Sequence, residues 1–248
     1  MSRIVKNSVL IGTCGFAEAQ DRTFHDFEIL EVQQTFYQPP GISTAKRWRQ
    51  KAPADFVFTV KAWQLITHRA GSPTYRKLKE KLSKEELAQA GDFRWNEVTY
   101  AAWEQTLAIA QSLWAEAVLF QTPKSFSPTK ENLRQLTQFF DHIRRKGQML
   151  VFEPRGEGWT DHLLFKLSAD CGLVPGIDPF LRPPLMENFR YFRLHGRPAY
   201  RYHHRYTDEE LKKLVAMIGN RGTTRVLFNN VFMAEDARRL MKLLGKQA

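Results

Sequence analysis

The sequence predicts a closed (β/α)8 barrel. Three observations carry that expectation. Strand-like apolar runs alternate with helix-like segments along almost the whole chain, eight such runs can be counted, and 248 residues is the length that eight strand–helix units need. Alternation of this kind gives parallel strands joined by crossover helices. No Gly-rich dinucleotide fingerprint follows the first strand, which argues against the rival, an open doubly wound sheet.

The elements follow in order. Val9-Leu10-Ile11 reads as the first strand and Gly12-Thr13-Cys14-Gly15 as the turn after it. Ile29 to Thr35 is the second strand, and Ser43 caps a helix running through Lys51. Phe56 to Lys61 is the third strand. The charged stretch from Arg69 to Asn96, helical around Ser83-Lys84-Glu85-Glu86-Leu87, is an excursion after it, where functional loops sit. Helical periodicity over Glu97 to Leu113 feeds a strand at Ala117 to Gln121. Pro128-Thr129 opens a helix through Arg145, Gly147 stops it, and Met149 to Glu153 is again extended. Asp161 to Ala169 is helical; Leu173 to Asp178 and Tyr191 to His195 are strands. Arg197 to Tyr206, rich in Tyr, His and Arg, is a candidate lid. Thr207-Asp208-Glu209-Glu210 is a capping box opening a helix through Ile218. Arg225 to Asn229 is the last strand and Ala234 to Leu244 the last helix. No low-complexity linker or fixed-period repeat interrupts this order. The expectation is one domain over residues 1–248, with residues 69–96 as its excursion.

Composition bounds the function classes. A hydrophobic share of 43% is ample for a core, and 12% aromatic residues argues against disorder. No apolar run approaches the ~20 residues of a membrane span. Met1 to Ser8 lacks the apolar stretch of a secretory signal. Cys14 and Cys171 read as reduced thiols of a cytoplasmic protein. A net charge of +11 favours anionic partners, an anionic small molecule or nucleic acid. Part of that charge lies on helix faces, such as Lys77, Lys79, Lys81 and Lys84, or Arg238, Arg239 and Lys242, where a solvated face and a binding surface are equally good readings. Nothing in the sequence speaks to oligomeric state.

The chemistry is expected at the strand ends. Side chains alternate between the two faces of a strand. If Phe56, Phe58 and Val60 face helices, Lys61 turns inward. By the same count Phe152 places Glu153 and Arg155 inside, and Phe192 and Leu194 place Tyr191, Arg193 and His195 there. Phe120 and Phe228 do so for Gln121 and Asn229, and Val32 for Glu31, Gln33 and Thr35. Asp178 ends its strand in the same way. A charge within a parallel strand is costly to bury unless paired, so its repetition marks a polar site. In one reading Lys61, Arg155, Arg193 and Arg197 clamp a phosphate or carboxylate, with Thr35 and Gln121 beside them. Glu153 and His195 then move protons, and Asp178 and Asn229 orient groups. In a second, Glu153, Asp178 and His195, with Glu31 more distant, ligate Mn, Mg or Zn, although the neighbouring cations oppose an ion there. In a third the groups form an internal ion-pair network, the favoured reading for Glu31 deep in its strand. A protein that binds nucleic acid without catalysis is the non-enzymatic alternative.

Other residues carry weaker signals. His203-His204 suits a surface loop better than a metal. His68 suits a turn hydrogen bond as well as a site. Cys14 has no activating base near it in sequence and reads as packing. Trp63, Trp159 and Tyr37 are equally suited to packing and to stacking on a sugar or base.

The chain resembles the YecE-like family, also called domain-of-unknown-function family 72. The motifs that carry this are Ile11-Gly12-Thr13-Cys14-Gly15, Glu31 to Tyr37, Phe56 to Ala62 with Ile66-Thr67-His68, Phe120 to Pro123 and Glu153-Pro154-Arg155-Gly156. Asp178-Pro179, Tyr191 to Arg197, Tyr206 to Leu211 and Phe228-Asn229-Asn230 continue them in family order over nearly the whole chain. The resemblance implies a TIM-type barrel. It implies no known activity, since the family is largely uncharacterised; its likeness to sugar isomerases and apurinic endonucleases, which are metal enzymes, is one of fold. The chain departs from the common pattern at Gln33, where Asn is usual, and at Glu153-Pro154-Arg155, where Glu-Phe-Arg is usual. The excursion from Arg69 to Asn96 resembles archaeal-type members.

Overall fold

The computed structural model describes residues 8–246, so the expectation about Met1 to Ser8 falls almost wholly outside them. Among the described residues eight parallel strands close a barrel in chain order. They are β1 (Ser8–Cys14), β2 (Ile29–Val32), β3 (Val57–Lys61), β4 (Ala117–Gln121), β5 (Met149–Glu153), β6 (Leu173–Ile177), β7 (Phe189–Leu194) and β8 (Thr223–Phe228). The helices are α1 (Gln20–Asp26), α2 (Gln34–Tyr37), α3 (Ile42–Lys51), α4 (Gln64–Thr67), α5 (Lys84–Gln89) and α6 (Glu97–Ser112). They continue with α7 (Lys130–His142), α8 (Asp161–Cys171), α9 (Asp208–Ile218) and α10 (Met233–Leu243). Among the described residues no helix is long and apolar enough to cross a membrane. The chain divides into two compact units.

The first unit comprises residues up to Val32, Lys51–Phe58 and Val174 onward. Here β1 pairs with β2 and β8, β8 with β7, and β7 with β6. Gly12 lies opposite Ile29, and a Cβ on it would stand 1.7 Å from the Ile29 carbonyl oxygen. Glycine is therefore demanded within the strand, so Gly12-Thr13-Cys14 continues β1 and is not the turn its composition suggests. Ile11, Phe192, Leu194, Val226 and Phe228 pack against Leu211, Leu214 and Ile218 of α9 and Leu240 and Met241 of α10. Burying an aliphatic or aromatic side chain of this size contributes about 1.5–3 kcal/mol. Phe56 and Phe58 meet Phe24 of α1 edge-on, at centroid distances of 5.1 and 5.9 Å, which confirms that they face a helix. The capping box at α9 forms as expected. The Thr207 hydroxyl accepts from the Glu210 amide at 3.2 Å, and the Glu210 carboxylate accepts from the Thr207 amide at 2.9 Å.

The second unit comprises residues 33–50 and 59–173. β4 pairs with β3 and β5, setting Lys61 opposite Leu119 and Gln121 opposite Glu153. Phe120 points out against Trp103 of α6 and Phe139 and Phe140 of α7. The excursion holds a short 3-10 turn at Pro73–Lys77 and then α5, capped by Ser83 and Glu86. It returns through Gly91, Asp92 and Phe93, all left-handed in φ, whose strain is offset by seating the Phe93 ring, wholly buried, 5.5 Å from Phe126 and Phe139.

The differences from the expected elements are local. The second strand stops at Val32, and Gln34–Tyr37 winds into a helical turn, so Thr35 is not a strand residue. Ile42 begins the helix expected at Ser43, and α7 ends at His142, before Arg145. α1 and α4 were not foreseen; both are short, and helices this brief leave no periodicity to detect.

Candidate functional site

In the second unit Lys61 closes β3. Its Nζ lies 3.2 Å from Gln121 Oε1 and 3.9 Å from the centroid of the Phe36 ring, whose negative face attracts a cation. Phe36 is brought there by α2, which is tied to the strand end by Thr35: its hydroxyl donates to the Lys61 carbonyl at 2.6 Å. Thr35 thus positions the lysine through its backbone. Glu153 closes β5, and its Oε1 accepts from Arg155 Nε at 3.3 Å. The Arg155 amide donates to the Thr122 hydroxyl at 3.0 Å, fixing the chain just beyond the strand. Gly156, at φ 99°, lets that turn pass the Lys124 carbonyl, where a Cβ would come within 2.4 Å.

His68, just beyond α4, joins this group. Its Nδ1 lies 2.7 Å from the Thr67 hydroxyl and its ring meets Phe36 edge-on at 4.9 Å. Burial, with the positive charges of Lys61 and then Arg155, pushes its pKa down to about 3. It is a neutral imidazole at physiological pH. Two cations, a carboxylate, a carboxamide and a neutral histidine thus occur together around the C-terminal ends of β3, β4 and β5.

In the first unit Glu31 and Arg193 are wholly buried. Arg193 donates from Nη2 to Glu31 Oε1 at 2.8 Å and from Nε to Oε2 at 3.1 Å, a two-point pairing, and the Tyr191 hydroxyl donates to Oε2 at 2.8 Å. The ion-pair reading of Glu31 is what the structure shows. Arg193, expected as an anion clamp, gives these groups to the protein's own interior. Its Nη1 also lies 3.1 Å from His195 Nε2. A guanidinium only donates, so Nε2 accepts, and the proton of the neutral ring sits on Nδ1, which is 4.0 Å from Asp178 Oδ2. Asp178 is fixed in turn by the amides of Phe180 at 3.0 Å and His195 at 3.3 Å. Cys14 lies 3.6 Å from Arg193 Nη2; burial, and then the Glu31 charge, push its thiol well up, which removes it as a nucleophile.

The loop from Arg197 to Tyr206 is pinned rather than loose. The Tyr206 hydroxyl accepts from the Gly196 amide at 2.9 Å, the Tyr202 carbonyl from the Val231 amide at 2.7 Å, and the His204 carbonyl from Asn230 Nδ2 at 2.8 Å. Tyr200 and Tyr202 lie beside the His195 ring, at 5.3 and 6.1 Å. Arg197 turns to Glu210 at 3.1 Å and lies 4.8 Å from the Phe180 ring centroid. The Asn229 amide donates to the Leu194 carbonyl at 2.8 Å, and the residue is half-buried. His203 is exposed, and His204 pairs with Glu210 at 2.9 Å.

The sequence pattern missed Phe36 beneath Lys61, because the run from Ile29 reads as one strand. In the sequence His68 suits a turn hydrogen bond and a site equally; its depressed pKa comes from burial and from charges, of which that of Arg155 is distant in sequence. Metal ligation does not fit these residues. Among the described residues no group of three or more His, Cys, Asp and Glu side chains could hold an ion. Glu31 is engaged by Arg193 and Tyr191, and Glu153 by Arg155.

Solved structures share this architecture. A DUF72 family protein from Enterococcus faecalis V583 matches with a TM-score of 0.73 at 22% identity, over 96% of this chain and 98% of that one. One from Thermotoga maritima MSB8 gives 0.68 at 21%, over 96% and 100%. Endonuclease IV from Thermus thermophilus gives 0.51 at 15%, over 97% and 98%. At these identities the likeness is one of fold, a TIM-type barrel. No curated protein matches the chain. Residues 21–248 match the family model described as protein of unknown function DUF72, and the chain belongs to that family.

Proposed function

We propose that this protein is an enzyme acting on an anionic substrate, a phosphorylated sugar or the sugar-phosphate of a nucleic acid, at the C-terminal ends of its barrel strands. The observation that carries the reading is the trio Lys61, Arg155 and His68. Burial first, and then the positive charges of Lys61 and Arg155, push the imidazole pKa down to about 3, and the two cations that add to that shift also attract an anion. Lys61 and Arg155 bind the charged group, Gln121 and Thr35 hold Lys61 in place, and Glu153 transfers a proton. In the first unit, His195 with Asp178 behind it is proposed as a second proton-handling pair, held in one tautomer by Arg193. Arg197 and Asn229, in the same unit as His195, are proposed to orient groups beside that pair. A cytoplasmic location is proposed with this, supported by two buried cysteines that form no disulfide.

The test follows a panel of sugar phosphates by phosphorus NMR with purified protein. Glu153→Gln should lower turnover of any substrate found by about 100-fold or more while leaving the circular dichroism melt in place. Turnover equal to the wild type would remove Glu153 from the chemistry.

A further inference from the structure

α3 and α6, both in the second unit, leave a groove of about 610 Å³ between them. Ile42, Lys46 and Gln50, spaced four residues apart along α3, form one wall; α6 forms the other, and Trp114 stands at its end. Trp114 precedes β4, so it lies at the opposite end of that strand from Gln121.

Trp114 is unusual on two counts. It occupies the position after α6 where a helix turns left-handed, with φ 53°. The Ala115 amide donates to the Ala110 carbonyl at 2.8 Å and the Trp114 amide to Gln111 at 3.1 Å, the paired closure that normally selects glycine. Its side chain is also 75% exposed, against Arg49 at 5.7 Å from the ring centroid. Backbone strain and a solvated indole both cost stability, and the isolated chain gains little packing in return. A tryptophan held out in this way suits a ligand with a flat face. The charge around it specifies the rest. Lys46 and Arg49 line the groove with no carboxylate among the described lining residues, and α3 carries Lys46, Arg47, Arg49 and Lys51 with no acidic residue. A planar group next to an anion is a nucleobase with its phosphate; an acidic peptide supplies the charge without the flat face, and a duplex hides its base faces.

We propose that this groove binds single-stranded nucleic acid, one base stacking on Trp114, which the largely buried Arg49 backs, and the adjoining phosphates held by Lys46. The proposal does not depend on the anion site at Lys61. It is tested by fluorescence anisotropy with a labelled oligothymidylate of about 12 nucleotides at low salt. The wild type binds. Trp114→Gly weakens binding by about tenfold or more, and because glycine relieves the left-handed backbone, its melting temperature is equal to or above that of the wild type. Lys46→Glu also weakens binding and flattens its salt dependence. The proposal is overturned if the wild type does not bind, if Trp114→Gly binds as the wild type does, or if a polyglutamate peptide of similar length competes as well as unlabelled oligothymidylate.

Discussion

Glu31 with Arg193 in the first unit, and Lys61 with Glu153 in the second, share one sequence signature: a charge at the end of an apolar strand. Their surroundings differ. The guanidinium of Arg193 meets both oxygens of Glu31, Tyr191 adds a third hydrogen bond, and both charged residues are wholly buried. In the second unit Lys61 Nζ lies beside a carboxamide and over the flat side of a ring, and Glu153 accepts at 3.3 Å from Arg155, whose side chain stays 14% exposed. The comparison teaches that geometry of compensation separates the two roles. A charge matched at two points by its opposite has little field left over and holds the fold. Two cations and one carboxylate gathered where a side chain still reaches solvent are the arrangement proposed to serve a substrate.

The largest expected effect lies in the first cluster. Arg193→Met strands the Glu31 carboxylate in a wholly buried site and should lower unfolding free energy in urea by about 3–5 kcal/mol. Adding Glu31→Gln to it should recover part of that loss, since no unpaired ion then remains. A loss below about 1 kcal/mol for the single variant would break the comparison, because the pair would then not be holding the fold.

A smaller effect sharpens the second cluster. The folded pKa of His68, about 3, lies below its ordinary value of 6.5, so the unfolded chain takes up a proton that the folded one refuses. Stability from this source is therefore complete above about pH 6.5 and is lost as pH falls toward about 3, by about 1 kcal/mol per pH unit. Urea unfolding between pH 7 and 5 should show the wild type losing ground to His68→Gln at that rate. Parallel stability profiles would mean that burial and the charges of Lys61 and Arg155 do not together depress the His68 pKa.

Some of this was legible in the sequence. Alternation in Phe56 to Lys61 and in Tyr191 to His195 correctly marked which residues turn inward, because a period of two survives any tertiary context. Thr35 was misplaced because a short apolar run does not separate strand from helical turn. Gly12 read as a turn residue, although its glycine answers to the Ile29 carbonyl on the next strand. The fate of Arg193 was beyond local pattern, since its partner Glu31 is 162 positions away. Trp114 left one trace, a bulky residue where a helix ending favours glycine.

The account turns on Lys61 serving a ligand and not the fold. The most direct measurement is the melting temperature of the wild type and Lys61→Met, each with and without inorganic phosphate at tens of millimolar, by differential scanning calorimetry. Phosphate should raise the melting temperature of the wild type and leave that of Lys61→Met unmoved, while the two proteins without phosphate melt within about 4 °C of each other. An equal rise in both proteins, or none in either, would contradict it.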